Sequence, residues 1–207
     1  MELTKFPKVT IILRGYDYNQ VKTVMEALEG QEEHYALEIT LNSPDVFETI
    51  RKTAEEYGDR FLIGAGTVLN LEDARQAVDA GAAFILSPVV LSEEVISFCK
   101  SKGVLTVPAA MTPSEVHALK VAGADIIKIF PAASVDISHF NALMGPLGVT
   151  PFMAVGGVNQ DNADTFLKNG AQFVGIGSGI FEKEDIQACN INNLKKSLAA
   201  FHEKLSN

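Results

Sequence analysis

Eight short apolar runs, each followed by a polar or Gly/Pro break and then an amphipathic helical stretch, predict an α/β fold of the (β/α)8 TIM-barrel type. Three observations carry this reading. The runs number eight, and their starts lie about 20 to 27 residues apart, room for one helix each. No Gly-x-Gly-x-x-Gly fingerprint follows the first run, as the competing open doubly wound sheet would require. At 207 residues the chain suits a single domain, residues 1–207, at the lower end of the barrel size range.

The predicted strands are Val9–Leu13, Ala36–Leu41, Phe61–Gly64, Phe84–Ser87, Val104–Pro108, Ile126–Phe130, Phe152–Val155 and Phe173–Gly177. The predicted helices are Asn19–Leu28, Pro44–Glu56, Leu71–Ala80, Glu93–Lys102, Pro113–Val121, Asp161–Lys168 and Ile191–Leu205. Ser43-Pro44, Thr112-Pro113 and Asn159 ahead of Asp161 read as helix starts, because a short polar side chain can accept from the free N–H groups of a first turn. Gly58, Gly81, Gly103, Gly123 and Gly170 read as helix ends. The polar segment Glu182–Asn190 reads as a lid or a linker. Pro44, Pro88, Pro108, Pro131 and the Gly156-Gly157 pair fall at or just past strand C-terminal ends, the face where barrel enzymes keep their sites.

Composition narrows the function classes. Net charge is −9, from 17 basic and 26 acidic residues, and nothing basic accumulates on one segment, so no nucleic-acid partner is expected. No run approaches the ~18 apolar residues of a membrane helix, so no membrane partner is expected either. Cys99 and Cys189 form no motif spacing, and Met1–Val9 does not read as a signal peptide; the expected compartment is the cytoplasm. His34, His117, His139 and His202 are scattered, so no metal site and no cofactor is expected.

Two charges are misplaced. Lys128 interrupts the isoleucine-rich run Ile126–Phe130, and Glu38 interrupts Ala36–Leu41. A lysine in an apolar strand must pair or lose its proton, and a desolvated amine is a nucleophile for carbonyl carbon. The runs are second and sixth in order, diametrically opposed in an eight-stranded barrel, so inward-facing side chains would meet near the axis. That pair is either a structural ion pair or an amine with its proton shuttle.

Other strand ends add candidates. Gly64 and Gly66 either let the backbone approach a ligand closely or are tight-turn glycines, and Thr67 after them offers a hydroxyl to a carboxylate or serves as a helix cap. Arg14, closing the first strand, either clamps a carboxylate or lies exposed. Gly156-Gly157 and Gly175-Ile176-Gly177-Ser178-Gly179 end the seventh and eighth strands, the usual phosphate site of this fold, and read either as that site or as plain turn glycines. Bare backbone N–H groups and the Ser178 hydroxyl would hold the anion through dipoles rather than a basic patch.

Together Arg14, Glu38-Ile39-Thr40-Leu41, Gly64-Ala65-Gly66-Thr67-Val68, Ser87-Pro88, Met111-Thr112-Pro113, Ile127-Lys128-Ile129-Phe130-Pro131, Gly156-Gly157-Val158 and Gly177-Ser178 resemble the class I 2-keto-3-deoxy-6-phosphogluconate / 4-hydroxy-2-oxoglutarate aldolase family. The resemblance runs from about Lys8 to Phe181. It implies that Lys128 forms a Schiff base with a keto acid and that Glu38 moves protons through a water. It assigns Thr67 and Arg14 to the pyruvate carboxylate, and Pro88 and Phe130 to the wall around the pyruvyl group. Gly156, Gly157 and Ser178 would bind the phosphate. It also implies a homotrimer without a metal, acting on a phosphorylated keto acid.

Three positions depart from the family pattern. Asn42 stands where many members carry an arginine, Pro108-Ala109-Ala110 replaces the usual Pro-Gly, and Ala154-Val155 replaces Pro-Thr before the glycine pair. Val155 would relax or switch the preference at C4, and the strings around Asn42, Lys128 and Val155 look more like the 6-phosphogalactonate branch. Among rivals, a deoxyribose-phosphate aldolase would want a second lysine on the seventh strand, where Phe152–Val155 has none. Thiamine-phosphate and tryptophan-pathway barrels share the phosphate loops but not Lys128. A non-catalytic phosphate-binding barrel that senses a sugar acid is the alternative from another class.

Overall fold

The computed structural model describes residues 3–206; Met1, Glu2 and Asn207, at the ends of the expected domain, lie outside the described residues. The strands are β1 (Val9–Leu13), β2 (Tyr35–Thr40), β3 (Ile63–Gly66), β4 (Phe84–Leu86), β5 (Leu105–Val107), β6 (Ala109–Ala110), β7 (Ile127–Ile129), β8 (Phe152–Val155) and β9 (Phe173–Ile176). All are parallel, in the order β5-β4-β3-β2-β1-β9-β8-β7-β6. β5 and β6 are one barrel strand, split at Pro108, which has no N–H to give to a ladder. The Pro108 carbonyl still accepts from Lys128 N at 2.9 Å, and Thr106 O from Ile126 N at 3.1 Å, so the ring closes across the junction. The architecture is the expected eight-stranded barrel.

The helices are α1 (Tyr18–Leu28), α2 (Val46–Tyr57), α3 (Leu71–Asp79), α4 (Glu93–Ser101), α5 (Pro113–Ala122), α6 (His139–Leu147), α7 (Ala163–Lys168), α8 (Lys183–Gln187) and α9 (Ile191–Ser206). Thr112 caps α5 with a capping box to Glu115, as its place before Pro113 predicts. Ser43 is not a cap: α2 begins after Asp45, and Ser43 Oγ instead accepts from Gly15 N at 2.8 Å. Asn159 does not cap α7, which begins at Ala163, but its Oδ1 accepts from Asp161 N at 2.8 Å in the turn ahead of that helix. The third strand starts later than the apolar pattern suggests, because Phe61 packs in the outer core while the small residues Gly64–Gly66 form the ladder. Glu182–Asn190 is not an irregular linker: it contains α8, pinned by buried Ile186 and by Asn193 Nδ2 donating to Asp185 Oδ1 at 2.7 Å.

Strand alternation sorts the side chains into two cores. Ile11, Leu13, Leu37, Ile39, Ile127 and Ile129 face the helix layer. Phe6, Ile12, Ala36, Phe84, Leu86, Leu105, Val107, Ile126, Met153, Val155 and Phe173 fill the barrel interior. Phe6 closes the lower end, packed edge-on against Phe84 and Phe173 with ring centroids 5.2 and 5.4 Å away.

Candidate active site

The same alternation points Glu38 and Lys128 inward. Glu38 is two residues past the inward Ala36 on β2, and Lys128 two past the inward Ile126 on β7. Their strands lie four places apart around the ring in either direction. Both side chains are buried, at 2% and 5% exposure. They form no direct ion pair, and among the described residues Glu38 Oε2 has no hydrogen-bond partner. An unpartnered buried carboxylate oxygen is costly, so the position is a candidate for a role other than stability.

Desolvation dominates both groups. Burial drives the Lys128 amine down to about 8; the Glu38 carboxylate opposes that fall and Arg14 adds to it. Burial likewise pushes the Glu38 carboxyl up to about 7, against the pull of Lys128 and Arg14. Each group thus exchanges protons near neutrality, which suits one to nucleophilic attack and the other to acid and base work.

Gly64 and Gly66 are not turn residues; each makes room for a neighbouring side chain. A Cβ at Gly66 would fall 1.5 Å from Glu38 Oε1, and one at Gly64 would fall 2.4 Å from the Phe84 ring. Thr67 is no helix cap, since Asn70 caps α3. It holds a left-handed backbone at φ 62°, rare for a β-branched residue. Its Oγ1 accepts from Arg14 Nη1 at 3.3 Å, and the same Nη1 donates to Asn42 Oδ1 at 3.2 Å. Arg14 is exposed yet tethered at the mouth, with Asn42 as an anchor rather than a charge.

A cavity of about 510 Å³ opens at the same face. Arg14, Phe130, Val155, Gly156, Gly157 and Ser178 are among its walls, whereas Lys128, Glu38, Thr67 and Pro88 are not. Lys128 adjoins it through Phe130, whose ring centroid is 5.0 Å from the amine. Pro88 follows β4, half-buried beside Ser87, whose Oγ accepts from Val89 N at 3.2 Å. Gly156 and Gly157 have φ of 91° and 76°, and a Cβ on Gly157 would fall 2.4 Å from Ala133 Cβ. Sequence reasoning missed Tyr16, Asn159 and Lys183, which also line the cavity.

A (β/α)8 barrel with a buried amine opposite a buried carboxyl group fits the class of barrel aldolases, which are carbon–carbon lyases. The family model "KDPG and KHG aldolase" matches residues 2–197, and the chain belongs to that family. A probable 2-dehydro-3-deoxy-6-phosphogalactonate aldolase of Rhizobium meliloti is 36% identical over 83% of this chain and 80% of its own length. A structure of native KDPGal aligns at TM-score 0.83 and 30% identity, covering 100% of this chain and 99% of that one. A KDPG aldolase of Legionella pneumophila, holding pyruvate as a covalent carbinolamine, aligns at TM-score 0.85 and 26% identity over 95% of each chain.

Proposed function

We propose that the protein is a class I aldolase that cleaves 2-keto-3-deoxy-6-phosphogalactonate, or its C4 epimer the gluconate, to pyruvate and glyceraldehyde 3-phosphate. The observation that carries this is the opposed pair of buried ionisable groups, Lys128 and Glu38, without a direct bond between them.

Neutral Lys128 Nζ attacks the C2 carbonyl, and loss of water leaves a protonated imine, an electron sink. Glu38, through a water, takes the proton from the C4 hydroxyl. The C3–C4 bond breaks, its electron pair enters the enamine, and the aldehyde departs. Glu38 returns the proton to C3, and water hydrolyses the imine to pyruvate. Arg14 and Thr67 hold the substrate carboxylate. Pro88 and Phe130 wall the pyruvyl group, Val155 faces the C4 region, and Gly156, Gly157 and Ser178 cradle the phosphate. 4-Hydroxy-2-oxoglutarate would undergo the same cut, giving pyruvate and glyoxylate.

The galactonate preference is supported by Val155, which offers no hydroxyl, and by the name of the Rhizobium relative. A sensor without catalysis would have no use for a desolvated amine, and the matched relatives bear aldolase names. We also place the enzyme in the cytoplasm and assemble it as a homotrimer; Leu69, Val89 and Val90, exposed on neighbouring mouth loops, give that assembly an apolar surface.

Incubation with pyruvate and borohydride, followed by intact-mass measurement and peptide mapping, tests the reading. A reduced adduct on Lys128 is expected. An unmodified protein, or an adduct elsewhere, would remove the Schiff base from the account.

A further inference from the structure

We propose that Lys183 is the cation that receives the substrate's phosphate and sets the preference for phosphorylated over unphosphorylated keto acids, an inference that rests on the aldolase reading above. Among the described residues, the cavity beside the glycine loops is lined by two cations, Arg14 and Lys183, and by no Asp or Glu. In a chain of net charge −9, a cavity free of carboxylates is a selective environment for an anion.

The two cations are differently disposed. Arg14 Nη1 is bound to Asn42 and Thr67, on the β2 and β3 side of the mouth. Lys183 shares the cavity wall with Gly156, Gly157, Gly177 and Ser178. Among the described residues it makes no ion pair. Its neighbour Glu184 is not among the lining residues, but its charge reaches one wall: after burial, it is what pushes the phenol of the cavity residue Tyr16 up.

Lys183 also stands on a fixed element. It opens α8, which Ile186 anchors at 2% exposure and Asp185 ties to Asn193 of α9. Backbone N–H groups of glycine loops give a phosphate direction but only partial charge. An ammonium adds a full charge to a dianion, and nothing to a neutral hydroxymethyl group.

The test compares wild type, Lys183→Gln and Lys183→Arg on 2-keto-3-deoxy-6-phosphogalactonate and on the same keto acid without its phosphate. The readout is the ratio of the two kcat/KM values. We expect the ratio to fall roughly tenfold in Lys183→Gln, mostly through KM for the phosphorylated substrate, and to recover in Lys183→Arg. Inorganic phosphate, as an inhibitor of the unphosphorylated reaction, should bind several-fold more weakly to Lys183→Gln. An unchanged ratio would overturn the assignment. Borohydride trapping of pyruvate separates the two failures: an adduct on Lys128 with an unchanged ratio removes only Lys183, whereas no adduct removes the aldolase reading beneath it.

Discussion

The two ends of the barrel interior are built from the same strands and obey opposite rules. At the lower end Phe6, Phe84 and Phe173 interlock edge to face, and Gly64 is small so that the Phe84 ring can fill the space above it. At the upper end Gly66 is small so that the Glu38 carboxyl group can lie against β3. One residue pair along β3 thus separates packing from chemistry. Burial that stabilises an aromatic ring below retunes an acid and an amine above.

The comparison is broken most severely at Lys128. Lys128→Met should abolish cleavage, by at least ~10⁴-fold in kcat, since the nucleophile is gone. It should also stabilise the fold. The amine's folded pKa of about 8 lies below its usual 10.5, so the unfolded chain binds more protons between those values and wild-type stability rises with pH across that window. Below pH 8 the buried amine is therefore a penalty, and the methionine variant should be about 1–3 kcal/mol more stable at pH 7. Chemical denaturation at pH 7 and pH 11 checks this, with the gap closing at the higher pH.

Next is Glu38→Gln, which should lower kcat by roughly 10²–10⁴-fold. In wild type kcat/KM should climb through about pH 7 and about pH 8, as both groups must be deprotonated. The variant should lose the lower rise. The remaining one should move to lower pH, because Glu38 no longer holds the Lys128 proton on.

The neighbouring glycines sharpen the contrast. Gly66→Ala drives a methyl into Glu38 and should cost about 10–100-fold in kcat, since a small misplacement of a catalytic group is that damaging. Gly64→Ala drives one into Phe84 and should cost about 1–3 kcal/mol of stability instead. Paired melting and kinetic measurements on the two variants decide whether the division between packing and chemistry runs through β3. The smallest effect is expected at Val155→Thr. One added hydroxyl contact, worth about 0.5–1.5 kcal/mol, should shift the ratio of gluconate to galactonate cleavage toward the gluconate by a few-fold.

The barrel itself was legible because inward and outward positions alternate in nearly every strand, and because Lys128 and Glu38 interrupt otherwise apolar runs. What escaped was structure without a pattern. α6 contains Gly145 and Pro146, which disguise a helix, and α8 is five polar-rich residues with one buried anchor, Ile186. Hence Lys183 went unread, although it lies shortly past Ser178. The role of Gly66 also escaped: a glycine that clears space for a side chain on the next strand looks, in one dimension, like a turn glycine. Asn42 could be recognised as a departure, but its grip on Arg14 exists only in the folded chain, where the two strand ends meet.

Thr67 carries a lesson for anyone who would make this enzyme hardier. Its left-handed backbone, rare for a branched residue, carries strain of about 1–3 kcal/mol that glycine there would release. A search for heat-tolerant variants would therefore be drawn to that position, and would discard with the strain the hydroxyl that steadies the guanidinium at the mouth.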